Sequence, residues 1–333
     1  MAISIKKIAE IAGCSPQAVS AVFKNNSTTR VSDSLREKVL AIAAELGYVP
    51  NRLSSALRKK RSGIIALILP WDVPEIMDVV NMETEKYGFK VLTLFTHCAD
   101  HVREAEALDA ALAYQVDGLI WTPFFDAGCY LPQLARLRQR NTPLVYLTNR
   151  LAELPGDFVG NDLCGGIKTS VDHLRKCGYK KLYYITLQEK FPPRDIRKEF
   201  FLEYTGRQGI LIETTGEKMA DISGIDHTGS GIIADDFAGL KFIHEFHQAQ
   251  MRIPEDAGVI IFKDHLIGGV MHVSEIMVPR MTSCRCTHDE LSRHAVELLM
   301  KRIETPDMEY TGVVLPMRFT VRNSTSMEGD KIC

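Results

Sequence analysis

The chain has 333 residues, 45% of them hydrophobic, enough for two or three domains with sizeable cores. Its formal charge of −2 is unevenly placed: residues 1–63 hold eleven Lys/Arg against four acids, while the remainder sums to −9, so a basic head that fits a polyanion precedes an acidic body. Eight scattered cysteines with no Cys-x-x-Cys pair, no secretory leader and no apolar run of spanning length argue against a disulfide scaffold and a membrane protein, and place the expected site of action in the reducing cytoplasm.

The head opens with Ile5, Ile8, Ala9 and Ala12 at helical spacing. Gly13 is suited to the left-handed turn that ends a helix, Ser15 offers an oxygen to orphan amides and Pro16 fits a first helical position. Val19, Val22 and Phe23 then form an inner face, leaving Gln17, Ser20, Ala21 and Lys24 outward. A third helix, capped by Ser32, turns Leu35, Val39, Ile42 and Leu46 inward and stops at Gly47. This is a helix-turn-helix pattern, whose second helix can lie in the DNA major groove.

The run Ala12-Gly13-Cys14-Ser15, then Val19-Ser20, Val31-Ser32, Arg36, Val39 and Leu46-Gly47-Tyr48-Val49-Pro50-Asn51, resembles the opening of the lactose/galactose-repressor family of bacterial transcription regulators. The resemblance implies a hinge segment that becomes a helix on DNA, with Leu57 wedged into the minor groove; such a wedge unstacks a base step and kinks the duplex. It places Ser15, Gln17, Ser20, Ala21, Lys24, Asn25, Arg30, Ser32, Asn51, Ser54, Leu57 and Arg58 at the DNA. Gln17 can pair with adenine N6 and N7, whereas Ala21, where the family commonly has Arg, can only meet a thymine methyl. Ser20, Lys24, Asn25, Arg30 and Ser32 would position the phosphates.

Beyond the linker, strand and helix signals alternate: strands at 64–69, 90–95, 117–121 and 144–147, with helices at 77–87, 103–114 and 131–140. A second round has helices at 163–176, 194–206, 237–250 and 288–303, with strands at 181–186, 210–214, 230–234, 258–262 and 313–321. Such alternation indicates parallel sheets covered by helices. The expected fold class is therefore α/β: an N-terminal all-α helix-turn-helix domain (1–50), a hinge helix and linker (51–63), and a body (64–333). By resemblance that body is two-lobed and periplasmic-binding-protein-like, with lobe crossovers near 160, 285 and 310. Two departures from the family are the short passage 71–75 before a shortened helix, and a segment between Phe201 and Asp235 about a dozen residues short, which puts one crossover helix in doubt.

Ligands in open α/β sheets sit beyond the strand carboxyl ends. The family's four polar ligand positions fall on Thr148, Arg197, Asp235 and Lys263, with Trp71 and Asn149 also at strand ends. The family usually shows Asp, Arg, Asn and Asp there, so this set moves from −1 to +1 and favours an anionic sugar derivative over a neutral sugar. An Asp235–Lys263 bridge in an empty cleft is the rival. Cys284-Arg285-Cys286-Thr287-His288 invites a metal or redox reading, but alternate residues of an extended segment face opposite ways, and His244 and His247 read as surface. No nucleophile elbow, phosphate loop or His-Glu-x-x-His occurs, so no enzyme, metal or cofactor is expected. The expected function is sequence-specific transcription regulation, with repression as its sense, by a homodimer on double-stranded DNA with a near-palindromic operator, controlled by a small-molecule effector. The alternative is a decayed ligand site under control of a protein partner or thiol oxidation.

Overall fold

The computed structural model describes residues 4–24, 31–48, 61–97, 101–148, 155–187, 196–214, 225–226, 229–264, 266–267 and 270–325. The chain divides into two compact units, 1–62 and 63–333.

The head holds α1 (Ile5–Ala12), α2 (Pro16–Lys24) and α3 (Asp33–Glu45). Each start is set by a serine. Ser4 accepts from Lys7 N at 3.4 Å, Ser15 from Ala18 N at 3.2 Å and Ser32 from Leu35 N at 3.4 Å, each satisfying an amide with no partner inside its helix. Gly13 ends α1 at φ 69, in the left-handed region that a side chain would disfavour. Ile8, Ala9, Ala12, Val19, Val22, Val39 and Ala43 form the core of this unit, and the Phe23 and Tyr48 rings close it at 5.5 Å.

The body contains two six-stranded sheets. The first uses β1 (Ile64–Leu69), β2 (Lys90–Phe95), β3 (Gly118–Trp121), β4 (Leu144–Leu147), β5 (Asp157–Asn161) and β13 (Gly312–Leu315), in the order β13-β5-β4-β3-β1-β2, all parallel. Alternate residues of β1 feed opposite faces. Ala66 and Ile68 pack with α5 (His101–Ala113) and α6 (Leu131–Gln139), while Ile65, Leu67 and Leu69 pack with α4 (Pro74–Lys86) and α11 (His288–Glu304).

The second sheet uses β6 (Lys181–Leu187), β7 (Ile210–Thr214), β8 (Ser230–Asp235), β9 (Ala257–Phe262), β12 (Thr282–Arg285) and β14 (Arg318–Thr320), in the order β14-β12-β9-β8-β6-β7. Only β14 runs antiparallel to its neighbour. One face carries α7 (Leu163–Lys176) and α8 (Ile196–Tyr204), the other α9 (Asp236–Gln248). A hairpin of β10 (Leu266–Ile267) and β11 (Met271–His272), then the single turn α10 (Val273–Ile276), precedes β12.

Three expectations change, and a fourth falls outside the described residues. The helix expected to be shortened begins at Pro74 and runs thirteen residues, since proline suits a first helical position. Residues 313–321 are two strands rather than one, broken at Pro316-Met317, so that β13 and β14 serve different sheets. β5 was not anticipated, because its polar ends mask it. Asp157 is buried there in an ion pair with Arg302 of α11 (2.8 and 3.0 Å), and Asn161 faces the lobe crossings. The expected thin coverage after Phe201 falls largely on 215–224, outside the described residues. Within the described ones, Ile225 is buried against Tyr183 and Ile232, and Asp226 N is held by the Tyr183 hydroxyl at 3.2 Å, so this short passage lies on the sheet.

The chain passes between the sheets at 162, 286–287 and 316–317. Asn161 ties the passages together: its Nδ2 donates to Thr287 Oγ1 at 2.9 Å and to the Leu315 carbonyl at 3.3 Å, and its Oδ1 accepts from Thr287 N at 3.2 Å. These crossings leave the carboxyl ends of β5, β12 and β13. Because the neighbouring strands are parallel to these, the carboxyl ends of both sheets border one junction.

Candidate functional site

In the head, Ser15 and Gln17 are exposed at the amino end of α2, and Ser20 is half-buried one turn later. Ser15 and Ser32 spend their oxygens on helix caps. Ala21 corrects the expected outward face: it is 8% exposed and shielded beside Val22. The physical reason is that α2 packs against both α1 and α3, so its inner sector is wider than one stripe. Asn25, Arg30, Asn51, Ser54, Leu57, Arg58 and the hinge lie outside the described residues, as does the side chain of Lys24.

In the body, three of the expected ligand positions meet at the carboxyl ends of the second sheet. Asp235 ends β8 and is 3% exposed. Its Oδ2 accepts from Arg197 Nη1 at 2.6 Å, from the Tyr184 hydroxyl at 3.0 Å and from Thr186 Oγ1 at 3.3 Å. Arg197, on the first turn of α8, is itself buried. Lys263 follows β9, with its Nζ 4.0 Å from Asp235 Oδ1, too far for a hydrogen bond. Asp235 Oδ1 is thus buried without a hydrogen-bond partner. Tyr184 and Thr186 were missed from sequence; their place at the end of β6, beside β8, was the available signal.

The first sheet contributes the other side of the junction. Trp71, just past β1, is 40% exposed and meets the Phe124 ring edge-on at 6.1 Å. Phe124 is held by buried Glu104, whose carboxylate accepts from Phe124 N at 3.1 Å, from Trp121 Nε1 at 2.7 Å and from the Tyr130 hydroxyl. Burial raises the Glu104 pKa against those donors. Thr148 lies half-buried past β4, its amide bound to Val159 O at 2.8 Å, and Asn149 is outside the described residues. The structure therefore gathers Arg197, Asp235 and Lys263, while Trp71 and Thr148 stand on the other sheet.

Two further features mark this junction. Thr122 Oγ1, at the end of β3, is a second buried oxygen without a hydrogen-bond partner. His97, Thr148 and Lys263, each just past a strand, have φ of 58, 62 and 57. Non-glycine residues seldom adopt such values, which cost about 1–3 kcal/mol each and cluster at ligand sites. Of the discounted groups, Cys284 is buried with its thiol pushed up to about 12 by burial, and His244 and His247 are exposed.

Residues 4–51 match the model of bacterial regulatory proteins of the lacI family, and residues 171–325 match a periplasmic binding protein-like domain. The chain thus carries a lacI-family DNA-binding head and a periplasmic binding protein-like domain. Relatives span its length: the transcriptional regulator PtxS of Pseudomonas plecoglossicida is 26% identical over 97% of this chain and 96% of its own. The ribose operon repressor of Halalkalibacterium halodurans is 26% identical over 97% of each chain. The solved lac repressor dimer, bound to operator and an anti-inducer, shares the fold with a TM-score of 0.80 at 21% identity, covering 98% of this chain and 100% of that one. With its lacI-family head, the chain is a DNA-binding transcription regulator and not an enzyme, with a helix-turn-helix head and a two-lobed α/β body. Among its described residues no helix is long and apolar enough to cross a membrane, and no cluster of three His, Cys, Asp or Glu could hold a metal ion.

Proposed function

We propose that this regulator acts in the cytoplasm as a homodimeric repressor of a near-palindromic operator, and that an anionic polyhydroxy compound, such as a sugar acid, controls it from the lobe junction. The observation that carries the ligand class is the unequal use of Asp235. Its Oδ2 is saturated by Arg197, Tyr184 and Thr186, while its Oδ1 accepts no hydrogen bond. A ligand hydroxyl donating to Oδ1 would satisfy it, and Lys263 Nζ, partly open to solvent, would pair with a carboxylate or phosphate of the same molecule. Trp71 and Phe124 offer an apolar edge to a sugar ring. The rival Asp235–Lys263 bridge is weakly supported at 4.0 Å, when Arg197 sits at 2.6 Å.

On the DNA side, exposed Gln17 is the base reader, Ser20 and Lys24 the positioning residues, and Leu57 the minor-groove wedge. Self-association is supported by apolar side chains exposed along one stretch of the second lobe: Ile267 and Met271, paired across the hairpin, with Val270, Ile276 and Val278. A thermal-shift screen tests the ligand class. Sugar acids or sugar phosphates should stabilise the protein and neutral sugars should not; stabilisation by a neutral sugar that survives Lys263→Met overturns this reading.

A further inference from the structure

Along α5 the buried side chains recur at 104, 107, 108, 111 and 112, the spacing of a helix face turned inward, and the first of them is an acid. Glu104 is wholly buried, and hydrogen bonds converge on both its oxygens. Oε1 accepts from Trp121 Nε1 at 2.7 Å and from the Phe124 amide at 3.1 Å, while Oε2 accepts from the Tyr130 hydroxyl. Each of these donors is neutral, so what they supply is direction rather than counter-charge. Phe124 lies in the turn just past β3, at the carboxyl end of the first sheet. α5 thus grips, from inside the lobe, the backbone that carries this ring to the junction. The ring meets Trp71 edge-on at 6.1 Å and is backed by buried Phe125 at 5.4 Å.

We propose that Glu104 is a positioning residue for effector recognition: its side chain fixes the turn at 122–125 and, through Phe124, the placement of the Trp71 ring, and so sets how tightly the junction holds a sugar ring. The effector half of this proposal rests on the ligand reading above, whereas the placement of Trp71 is a property of the free protein. The Phe124 amide is part-buried, so without its acceptor it has to move to find another. The ring moves with it, as does Thr122, whose buried Oγ1 has no hydrogen-bond partner.

Position and charge separate at this residue. In Glu104→Gln the amide oxygen can stand where Oε1 stands and receive both Trp121 Nε1 and the Phe124 amide, while the amide nitrogen donates to the Tyr130 oxygen, since a phenol both donates and accepts. All three residues stay held although the charge is gone. In Glu104→Asp the charge stays, but the carboxylate is withdrawn towards α5 by one carbon–carbon bond. Contacts of 2.7 and 3.1 Å then open beyond hydrogen-bond length. A residue that acts by position tolerates Gln and not Asp; one that acts by charge does the reverse.

The chain has two tryptophans, Trp71 and Trp121, so the full chain labelled with 5-fluorotryptophan gives two fluorine resonances, which Trp71→Phe assigns. Phe124→Ala marks where the Trp71 signal falls once the ring contact is absent. Glu104→Asp should move the Trp71 signal most of the way to that position, and Glu104→Gln should leave it within a linewidth of wild type. Circular dichroism confirms that each variant is folded. In calorimetric titrations with glucuronate and glucose 6-phosphate, the anion that binds the wild type should bind Glu104→Asp at least tenfold more weakly and Glu104→Gln within twofold. A Trp71 signal unmoved in folded Glu104→Asp, or moved as far in Glu104→Gln as in Phe124→Ala, overturns the proposal, as does unchanged anion affinity in Glu104→Asp. If neither anion binds the wild type, the effector reading falls, and the Trp71 comparison, made without ligand, still decides the positioning.

Discussion

Arg197 Nη1 lies 2.6 Å from Asp235 Oδ2, and neither side chain is more than 7% exposed. The pair joins the start of α8 to the end of β8 across the top of the second sheet, and Tyr184 and Thr186 complete the shell around the shared oxygen. Removing one partner strands a buried charge, which costs about 3–5 kcal/mol. Arg197→Met should lower the unfolding midpoint in urea accordingly, and Arg197→Met with Asp235→Leu should recover much of the loss. A single variant as stable as the wild type would mean that the pair is solvated.

The head gives two separable outcomes. Gln17→Ala should relax base preference at one operator position, a change of about 1–3 kcal/mol in discrimination. Lys24→Ala should weaken all sequences alike and reduce the salt slope by about one. Leu57→Ala should lower affinity and bending without unfolding the body. Binding-site selection and bending assays on the three variants check this, and identical profiles would remove the assigned roles.

Ser15→Ala and Ser32→Ala each lose an oxygen that caps a helix. Each should destabilise the head by about 1 kcal/mol. Hydrogen exchange confined to residues 4–48 would report it; an unchanged protection pattern would contradict the capping geometry.

The His288–Glu75 pair predicts a pH dependence with a definite sign. His288 is raised from 6.5 to about 9, against burial, by Cys286 and Glu75. A raised folded value means that the stabilisation is complete below about pH 6.5 and is lost as pH rises through about 9. The stability difference between wild type and Glu75→Gln should therefore be present near pH 6 and shrink towards pH 10. A difference that grows with pH would contradict the pairing.

Val270 and Val278 are each 82% exposed. Val270→Asp with Val278→Asp should shift the protein towards monomer in sedimentation and weaken operator binding, because one head makes half the phosphate contacts. An unaltered dimer would place the contact elsewhere.

Much of this fold was legible because strong local signals coincide with tertiary ones. Ser32 and Asp162 cap α3 and α7 where the pattern begins, and the apolar strands 64–69 and 258–262 are buried on both faces. Legibility failed where polar residues are buried by long-range partners. Asp157 reads as a loop residue until Arg302, 145 positions later, neutralises it, and Tyr184 reads as core until its hydroxyl is seen to donate to Asp235. Ala21 reads as outward because periodicity specifies a face but not its width, which depends on two neighbouring helices. Proximity of Arg197 to Asp235 follows from strand order in the sheet, which no local pattern encodes.

The most direct test is operator affinity, measured by fluorescence anisotropy, for wild type and Lys263→Met titrated with a sugar acid, a sugar phosphate and their neutral sugars. The account predicts that an anionic compound alone changes wild-type affinity, by tenfold or more, and that Lys263→Met binds operator normally but no longer responds. A neutral sugar that changes affinity equally in both proteins would contradict it.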